Sequence, residues 1–158
     1  MLKAQQQSTN NDAPTDHFAS VSDWPTGAGG FHHTGIAVDS DDTRGFSTAD
    51  PTTPWWKRLF GAPQGAMEND IAHHTKNGEV APHPPNIHIP ITAAQAKAIQ
   101  AAIDARVTNG GRYNLLFRNC AGAIESFLHA GGVPGIPHSE VNIPAVLHVV
   151  LLIERTSQ

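Results

Sequence analysis

The chain contains a single cysteine, Cys120, within the stretch YNLLFRNCAGAIESFLHAGG. Asn119 before it is a favourable N-cap residue, so the pattern predicts a helix that begins at Cys120 and ends at Gly131 and Gly132. A thiol in the first helical turn faces unpaired N–H groups and the positive end of the helix dipole, which both stabilise a thiolate. Free cysteine is also a common core residue. The position therefore allows two interpretations, a nucleophile or a small buried hydrophobe.

A nucleophilic cysteine needs a base, and the chain has ten histidines to supply one. Two of them, His32 and His33, open the short run HHTGIAV, which is typical of a β-strand. Because side chains alternate along a strand, His33 shares a face with Gly35 and Ala37. That face is open beside His33, so a helix bearing Cys120 could pack there. We therefore predict that His33, and not His32, is the general base.

The two segments together resemble a known family. HTGIAV is similar to the histidine strand of NlpC-type papain-like peptidases, and YNLLFRNCAGAIESFLHAGG resembles the Asn-Cys helix of their circularly permuted branch, in which histidine precedes cysteine. That branch includes lecithin:retinol-acyltransferase-like proteins and bacterial cell-wall amidases. The chain also resembles amidase toxins delivered by type VI secretion, in which a P-I-T-x-x-Q-A helix precedes Y-N-L-L-x-x-N-C. The resemblance spans about positions 31 to 133.

The resemblance implies a role for each residue that matches the motifs. Cys120 is the nucleophile, His33 is the general base, and backbone N–H groups near the cysteine hold the oxyanion. A third, orienting residue is expected on the strand after the histidine, in GFSTAD, where Ser47 is the first choice and Asp50 the second. Asn119, next to the nucleophile, is expected to contact substrate.

The implied fold is α+β, a permuted papain-like domain with a small antiparallel sheet packed against two to three helices. The implied function is that of a cysteine amidase or endopeptidase that cleaves peptidoglycan stem peptides, as an antibacterial type VI secretion effector without a cofactor. Its expected partners are the peptidoglycan, a secretion apparatus and a cognate immunity protein. Two alternatives remain open: a lipid acyl hydrolase or acyltransferase with the same dyad, and a non-catalytic binding module.

Local signals predict the elements that position these residues. The 158 residues suffice for one domain, and we expect a disordered leader over 1–22 and a catalytic domain over 23–158. TRGFSTAD is expected to pair with the histidine strand as a hairpin, and PPNIHIPI to form another strand. TAAQAKAIQAAIDARV opens with Thr92 and Gln95 in capping-box spacing, which predicts a helix. IPAVLHVVLLIE is undecided between helix and strand.

The insertion PTTPWWKRLFGAPQGAMEND has no clean period and is predicted to be a long, functional loop. Trp55 and Trp56 within it, followed by Lys57 and Arg58, are candidates for a glycan or membrane-surface contact and are included among the predicted substrate-binding residues. The alternative is one tryptophan packed under the loop beside two solvated charges.

A metal site is not predicted. His73, His74, His83 and His88 lie close together in sequence, but proline interrupts their spacing and no His-Glu-x-x-His helix is present. One cysteine also excludes an internal disulfide and a cysteine-based zinc site.

Charge and hydropathy set the remaining limits. A formal net charge of -4 argues against nucleic-acid binding, because no basic stripe is available to neutralise phosphates. The N-terminal residues lack the apolar core of a signal peptide, and no run approaches the roughly 18 apolar residues of a membrane span. We expect a protein made in the cytoplasm that reaches a target-cell periplasm by another export route.

Overall fold

The computed structural model describes residues 16–24, 32–76, 86–136, 138 and 151. The strands in these ranges are β1 (Phe18–Trp24), β2 (His33–Val38), β3 (Arg44–Thr48), β4 (Gln64–Asn69), β5 (Ile87–Pro90) and β6 (Gly111–Arg112). The helices are α1 (Trp55–Phe60), α2 (Asp70–Lys76), α3 (Ala93–Asn109) and α4 (Cys120–Ala130).

The six strands form one antiparallel sheet in the order β5-β1-β2-β3-β4-β6. The predicted α+β class with a small antiparallel sheet is confirmed. The strand predicted in PPNIHIPI is confirmed as β5, which lies at one edge of the sheet, where a strand tolerates proline. Four helices accompany the sheet in the described ranges, against the two to three expected.

The predicted hairpin is formed by β2 and β3. Gly35 lies opposite Gly45, and Ile36 lies opposite Arg44. The pairing brings two residues without side chains together across the ladder, immediately beside His33. The space that their missing side chains leave is occupied by His33 and Asp70.

Both predicted helices are present with the caps that the sequence indicates. Thr92 accepts a hydrogen bond from the Gln95 backbone at 3.2 Å, while the Gln95 side chain accepts from the Thr92 backbone at 2.9 Å. At the start of α4, Asn119 Oδ1 accepts from the Gly122 N–H at 3.1 Å. These local bonds fix where each helix begins, and therefore place Cys120 in the first turn of α4.

Helices α3 and α4 pack against one side of the sheet. Ile99 of α3 and Ile124 of α4 belong to the same buried cluster as Val21, Ile36 and Phe46 of the strands. Burying a side chain of this size stabilises the fold by roughly 1.5–3 kcal/mol. This cluster holds α4 against β2 and so sets the position of Cys120 relative to His33. Val107, close to the end of α3, lies outside this cluster and is 43% exposed.

The predicted leader boundary is wrong. Phe18–Trp24 forms β1, which pairs with β2 on one side and β5 on the other, inside the sheet. The polar residues of this segment favoured a leader that includes residues 18–22. Ser20 and Ser22 are nevertheless buried, and their hydroxyls form hydrogen bonds with Asp41 and Thr43. A strand whose polar side chains have buried partners does not show the usual hydrophobic alternation.

The predicted long loop is also wrong. The segment PTTPWWKRLFGAPQGAMEND contains α1 and β4, and its last residue, Asp70, begins α2. β4 pairs with β3, so its pairing is long-range and leaves a weak local signal. The segment IPAVLHVVLLIE lies outside the described residues except for Leu151. Within the ranges that are described, no helix is both long and apolar enough to cross a membrane.

Candidate active site

The centre of the site is a buried histidine–carboxylate pair. His33 Nε2 lies 2.9 Å from Asp70 Oδ1, with His33 8% and Asp70 1% exposed. The two residues are 37 positions apart and come from β2 and the first residue of α2. A carboxylate in this position fixes the orientation and tautomer of an imidazole, as the acid does in a catalytic triad.

Strand pairing places Asp70 there. Because Arg44 of β3 lies opposite Asn69 of β4, the next residue, Asp70, lies beside Thr43. The Asp70 backbone N–H donates to the Thr43 carbonyl at 3.0 Å, and Thr43 Oγ1 donates to Asp70 Oδ2 at 2.7 Å. Ser22 Oγ donates to the same oxygen at 3.3 Å. Both carboxylate oxygens therefore have partners, and the side chain is held on three sides.

The two glycines of the hairpin make room for this pair. A Cβ at Gly35 would overlap the Asp70 carboxylate, and a Cβ at Gly45 would overlap both the His33 ring and Asp70. The open face beside His33 that the sequence analysis assigned to the Cys120 helix is thus filled by Asp70. Helix α4 instead packs on the Ile36 side of β2.

Cys120 lies within electrostatic reach of His33. Its charge and its hydrogen bonding both raise the pKa of the imidazole. Because Nε2 faces Asp70, Nδ1 is the ring nitrogen left for the thiol. Within the described residues the ring's bond of full hydrogen-bond geometry is the one to Asp70, and the influence of Cys120 on the imidazole comes first through its charge.

The electrostatics favour a protonated imidazole. Burial, the largest single influence, lowers the pKa of His33, but the Asp70 charge, then the Cys120 charge and hydrogen bonds to both residues together raise it well above 6.5. Burial raises the pKa of Asp70, but the His33 charge and the hydrogen bonds from His33 and Thr43 outweigh it, so the pKa lies below its ordinary 3.8. The site thus stabilises a carboxylate–imidazolium pair.

Backbone donors surround Cys120. Among the described residues, neither the Cys120 nor the Ala121 N–H donates a hydrogen bond to the protein. These are two of the first N–H groups of α4, which a helix leaves unpaired. They are available to an oxyanion formed next to the sulfur.

Asn119 does not fit its predicted role of substrate contact through its side chain. It is 3% exposed, its Oδ1 accepts from Gly122 and its Nδ2 donates to the Leu115 carbonyl at 2.8 Å. The side chain caps α4 and holds the preceding loop, and so positions Cys120.

Within the described residues, neither of the predicted orienting residues, Ser47 and Asp50, forms a hydrogen bond with His33. Ser47 Oγ lies 3.5 Å from the Thr48 carbonyl, and Asp50 is exposed and accepts hydrogen bonds from Thr52. Asp70 is the residue that bonds the imidazole, which corrects the prediction. The motif-based expectation placed the residue on the next strand, β3, whereas it follows the strand after that.

The remaining predicted residues, Trp55 and Trp56, and the neighbouring histidine, His32, form no hydrogen bond with His33 or Asp70 in the described part of the chain. Trp55 and Trp56 are 69% and 52% exposed on α1, which buries none of its residues. Their substrate role stays a prediction. His32 precedes β2, has a positive φ of 63° and lies 3.0 Å from Asp23.

Tyr113 is a site neighbour that sequence analysis missed. It is 5% exposed, and burial, followed by the charge of Cys120, raises the pKa of its phenol. It therefore stays protonated near the sulfur. Asp70 was missed too, although a signal exists: Asn69 and Asp70 form a polar helix start, and Asn69 Oδ1 accepts from the Ala72 N–H at 2.8 Å.

The four histidines that lie close together in sequence, for which no metal site was predicted, have different partners where the structure describes them. His73 pairs with Glu68 at 2.6 Å, His88 pairs with Asp41 at 2.7 Å, and His83 lies outside the described residues. His74 is buried and stacks on Trp24. One set in the described ranges has ligand atoms close enough for a metal ion, within 4.8 Å: His33, Asp70 and His74. Two of these are the candidate catalytic residues themselves.

The arrangement as a whole is a thiol at a helix start, an imidazole with one free nitrogen, a buried carboxylate behind it, and unpaired N–H groups beside the sulfur. Acyl transfer through a thioester uses groups of these types. Comparisons with protein-family models, with curated proteins and with solved structures found no match.

Proposed function

We propose that the protein is a cysteine hydrolase that cleaves amide bonds through an acyl-enzyme. The Cys120 thiolate attacks the amide carbonyl, and the N–H groups of Cys120 and Ala121 hold the oxyanion. The His33 imidazolium then donates its proton to the leaving amine, and the carbon–nitrogen bond breaks. In the second half, His33 removes a proton from water, hydroxide attacks the thioester, and the thiolate is released.

The observation that carries the proposal is the Cys120–His33–Asp70 chain. A structural cysteine needs neither a basic partner nor a buried carboxylate behind that partner. Cys120 is 2% exposed, and burial by itself suits a core residue equally well. Burying Asp70 and His33 as a charged pair, however, costs several kcal/mol of desolvation per ion before their attraction compensates. Strongly perturbed buried pairs of this kind are concentrated at functional sites.

The substrate class that we propose is the peptidoglycan stem peptide. Support for it comes from the resemblance of the His33 and Cys120 segments to papain-like cell-wall amidases. On the same ground we propose an antibacterial type VI effector that acts in a target-cell periplasm, with a cognate immunity protein in the producing cell. The permuted papain-like relationship itself is part of this proposal.

The test is mass analysis of muropeptides after purified peptidoglycan is incubated with the protein. We expect new termini at one amide bond with the wild-type chain and none with Cys120→Ala. Cys120→Ser is the matched control for shape, because it keeps the size of the side chain and replaces only the nucleophile. The free energy of unfolding of both variants should lie within about 1–2 kcal/mol of the wild-type value.

The alternatives give different results in the same assay. Intact peptidoglycan together with Cys120-dependent release of fatty acid from phospholipid vesicles would assign the dyad to a lipid acyl hydrolase. Biological activity that Cys120→Ala retains in full would assign the chain to the non-catalytic binding modules.

A further inference from the structure

A cationic cavity lies on the flank of the Cys120 helix, and none of Cys120, His33 and Asp70 lines it. Its volume is about 350 Å³, and its walls include the side chains of Arg106, Arg112 and Arg118. The lining in the described residues contains no acidic side chain. The chain has only 10 lysines and arginines and a net charge of -4, so three guanidinium groups around one cavity are a marked local excess.

Two of the three arginines are held in place by the backbone. Arg106 Nη1 donates to the Gly110 carbonyl at 3.2 Å, and its guanidinium lies 5.1 Å from the centre of the Phe46 ring. Arg112 Nη1 donates to the Ala62 carbonyl at 3.1 Å. A guanidinium has five N–H donors, so each keeps several for a ligand. Among the described residues, none of the three forms an ion pair with a carboxylate.

The cavity lies at the start of α4, next to Cys120 in the chain, although Cys120 itself does not line it. Arg118 and Asn119 directly precede Cys120, and Gly122 and Ala123 of the first turn also line the cavity. One or two residues of an extended peptide span roughly 3.5–7 Å. A substrate whose carbonyl reaches Cys120 can therefore place a nearby side group or terminus in the cavity. The positive end of α4 adds to the attraction for a negative charge there.

We propose that this cavity is a substrate subsite that binds a carboxylate lying within about two residues of the scissile amide. Guanidinium groups match carboxylates in planar, two-bond geometry, and the fixed positions of Arg106 and Arg112 lower the entropy lost on binding. The inference rests on the proposed function and narrows its substrate to acidic peptides, of which stem peptides with free carboxylates are one kind.

The first experiment measures binding without turnover. The Cys120→Ala chain, labelled with ¹⁵N, is titrated with N-acetyl-alanyl-glutamate, with its neutral analogue N-acetyl-alanyl-glutamine, and with inorganic phosphate. We expect the acidic dipeptide to shift the Gly122 and Ser126 amide resonances and to bind about tenfold more tightly than the neutral one. Equal binding of the two dipeptides, or binding of phosphate alone, would overturn the carboxylate subsite.

Variants locate the effect in the cavity. Arg118→Gln, at an exposed position, should remove most of the preference for the acidic dipeptide without a folding penalty. Arg106→Gln should do the same, but it also loses its contact with Phe46. Lys97→Gln on α3 removes one charge outside the cavity and should leave the preference intact. An equal loss in Lys97→Gln would reduce the effect to overall charge and contradict the proposal.

The second experiment separates this inference from the proposed function. With wild-type protein and stem peptides whose free carboxylates are amidated one at a time, amidation at the recognised position should raise KM about tenfold and leave kcat nearly unchanged. Hydrolysis with the same KM for every peptide would refute the subsite and keep the hydrolase. Binding of the acidic dipeptide without hydrolysis of any peptide would refute the hydrolase and keep the anion site.

Discussion

At the scale of single residues, the properties of the site depend on Asp70, the carboxylate that is hydrogen-bonded to His33. Asp70 holds one ring nitrogen and raises the pKa of the imidazole against the effect of burial, and the other nitrogen is left for Cys120. In the proposed reaction, the base and the orienting acid therefore have separate roles. Each can be tested by a substitution that leaves the other in place.

The first prediction concerns the two adjacent histidines. His33→Asn should lower the rate on the order of a hundredfold or more, because it removes the group that transfers protons. His32→Asn is the matched control, since asparagine tolerates the positive φ of 63° at that position. It should retain most of the activity. A large loss in His32→Asn with little change in His33→Asn would exchange the two roles.

The second prediction concerns the orienting acid. Asp70→Asn keeps the size of the side chain but removes its charge and permits the wrong imidazole tautomer, so kcat should fall on the order of a hundredfold. Ser47→Ala and Asp50→Asn, which change the residues favoured from sequence, should each change kcat less than about threefold. Steady-state kinetics on one peptide substrate compares all three. Loss of activity in Ser47→Ala alone would restore the prediction made from the sequence.

The third prediction follows from the direction of the His33 pKa shift. Leaving-group protonation needs imidazolium, so activity should fall only as pH rises through the His33 pKa, which lies well above 6.5. Removing the Asp70 charge takes away the largest influence that raises this pKa. The alkaline limb of the kcat/KM profile should therefore move to lower pH in Asp70→Asn. An unmoved limb would mean that the limb reports another group.

At the scale of elements, the hairpin of β2 and β3 contributes space as well as hydrogen bonds. Gly35 and Gly45 lie opposite each other, and the space that side chains would fill there is occupied by the Asp70 carboxylate and the His33 imidazole. β4 then sets where α2 begins and therefore where Asp70 lies. β2 carries His33, the pairing of β4 with β3 positions Asp70, and α4 carries Cys120.

The fourth prediction tests the hairpin. Gly45→Ala adds a methyl group where the His33 ring and Asp70 lie, so the imidazole must move. We expect a loss of activity on the order of a hundredfold and a loss of about 1–3 kcal/mol in the free energy of unfolding, as overpacking usually causes. Ser47→Ala, two residues further along the same strand, is the control for both measurements. Full activity in Gly45→Ala would show that the close packing around His33 is not required.

At the scale of the whole molecule, the sheet and the two long helices form one core, and the candidate site lies where they meet. The thiol comes from the helix layer, the imidazole from a central strand and the carboxylate from a short helix that follows β4. A chain folded in this way assembles the site only when all of its layers are in place. Activity should therefore be lost together with the native fold.

The fifth prediction concerns where the protein acts. If the substrate is peptidoglycan, expression in the cytoplasm of a bacterium should be harmless, and expression with an added periplasmic signal peptide should lyse the cell. Cys120→Ala with the same signal peptide is the control and should be tolerated at equal protein level. Growth curves with immunoblots measure both. Toxicity confined to the cytoplasm would contradict a cell-wall substrate.

The sequence by itself determined the features that depend on near neighbours. The Thr92–Gln95 capping box, the Asn119 cap and the alternation that begins at His33 are all local, and they predicted both long helices and the hairpin. Capping hydrogen bonds and side-chain periodicity depend only on residues a few positions apart in the chain, so these predictions needed no tertiary information.

Only the tertiary structure decided which residue completes the site. Asp70 reaches His33 across 37 positions through the pairing of β3 with β4, and no spacing rule connects the two residues in the sequence. The cavity lined by Arg106, Arg112 and Arg118 also depends on packing, because Phe46 of the distant strand β3 lines it too. β1 was missed because its serines are polar, which favours an exposed segment; only the fold shows the hydrogen-bond partners that let them be buried. Contacts between distant segments depend on how the layers pack, and packing is a property of the whole chain.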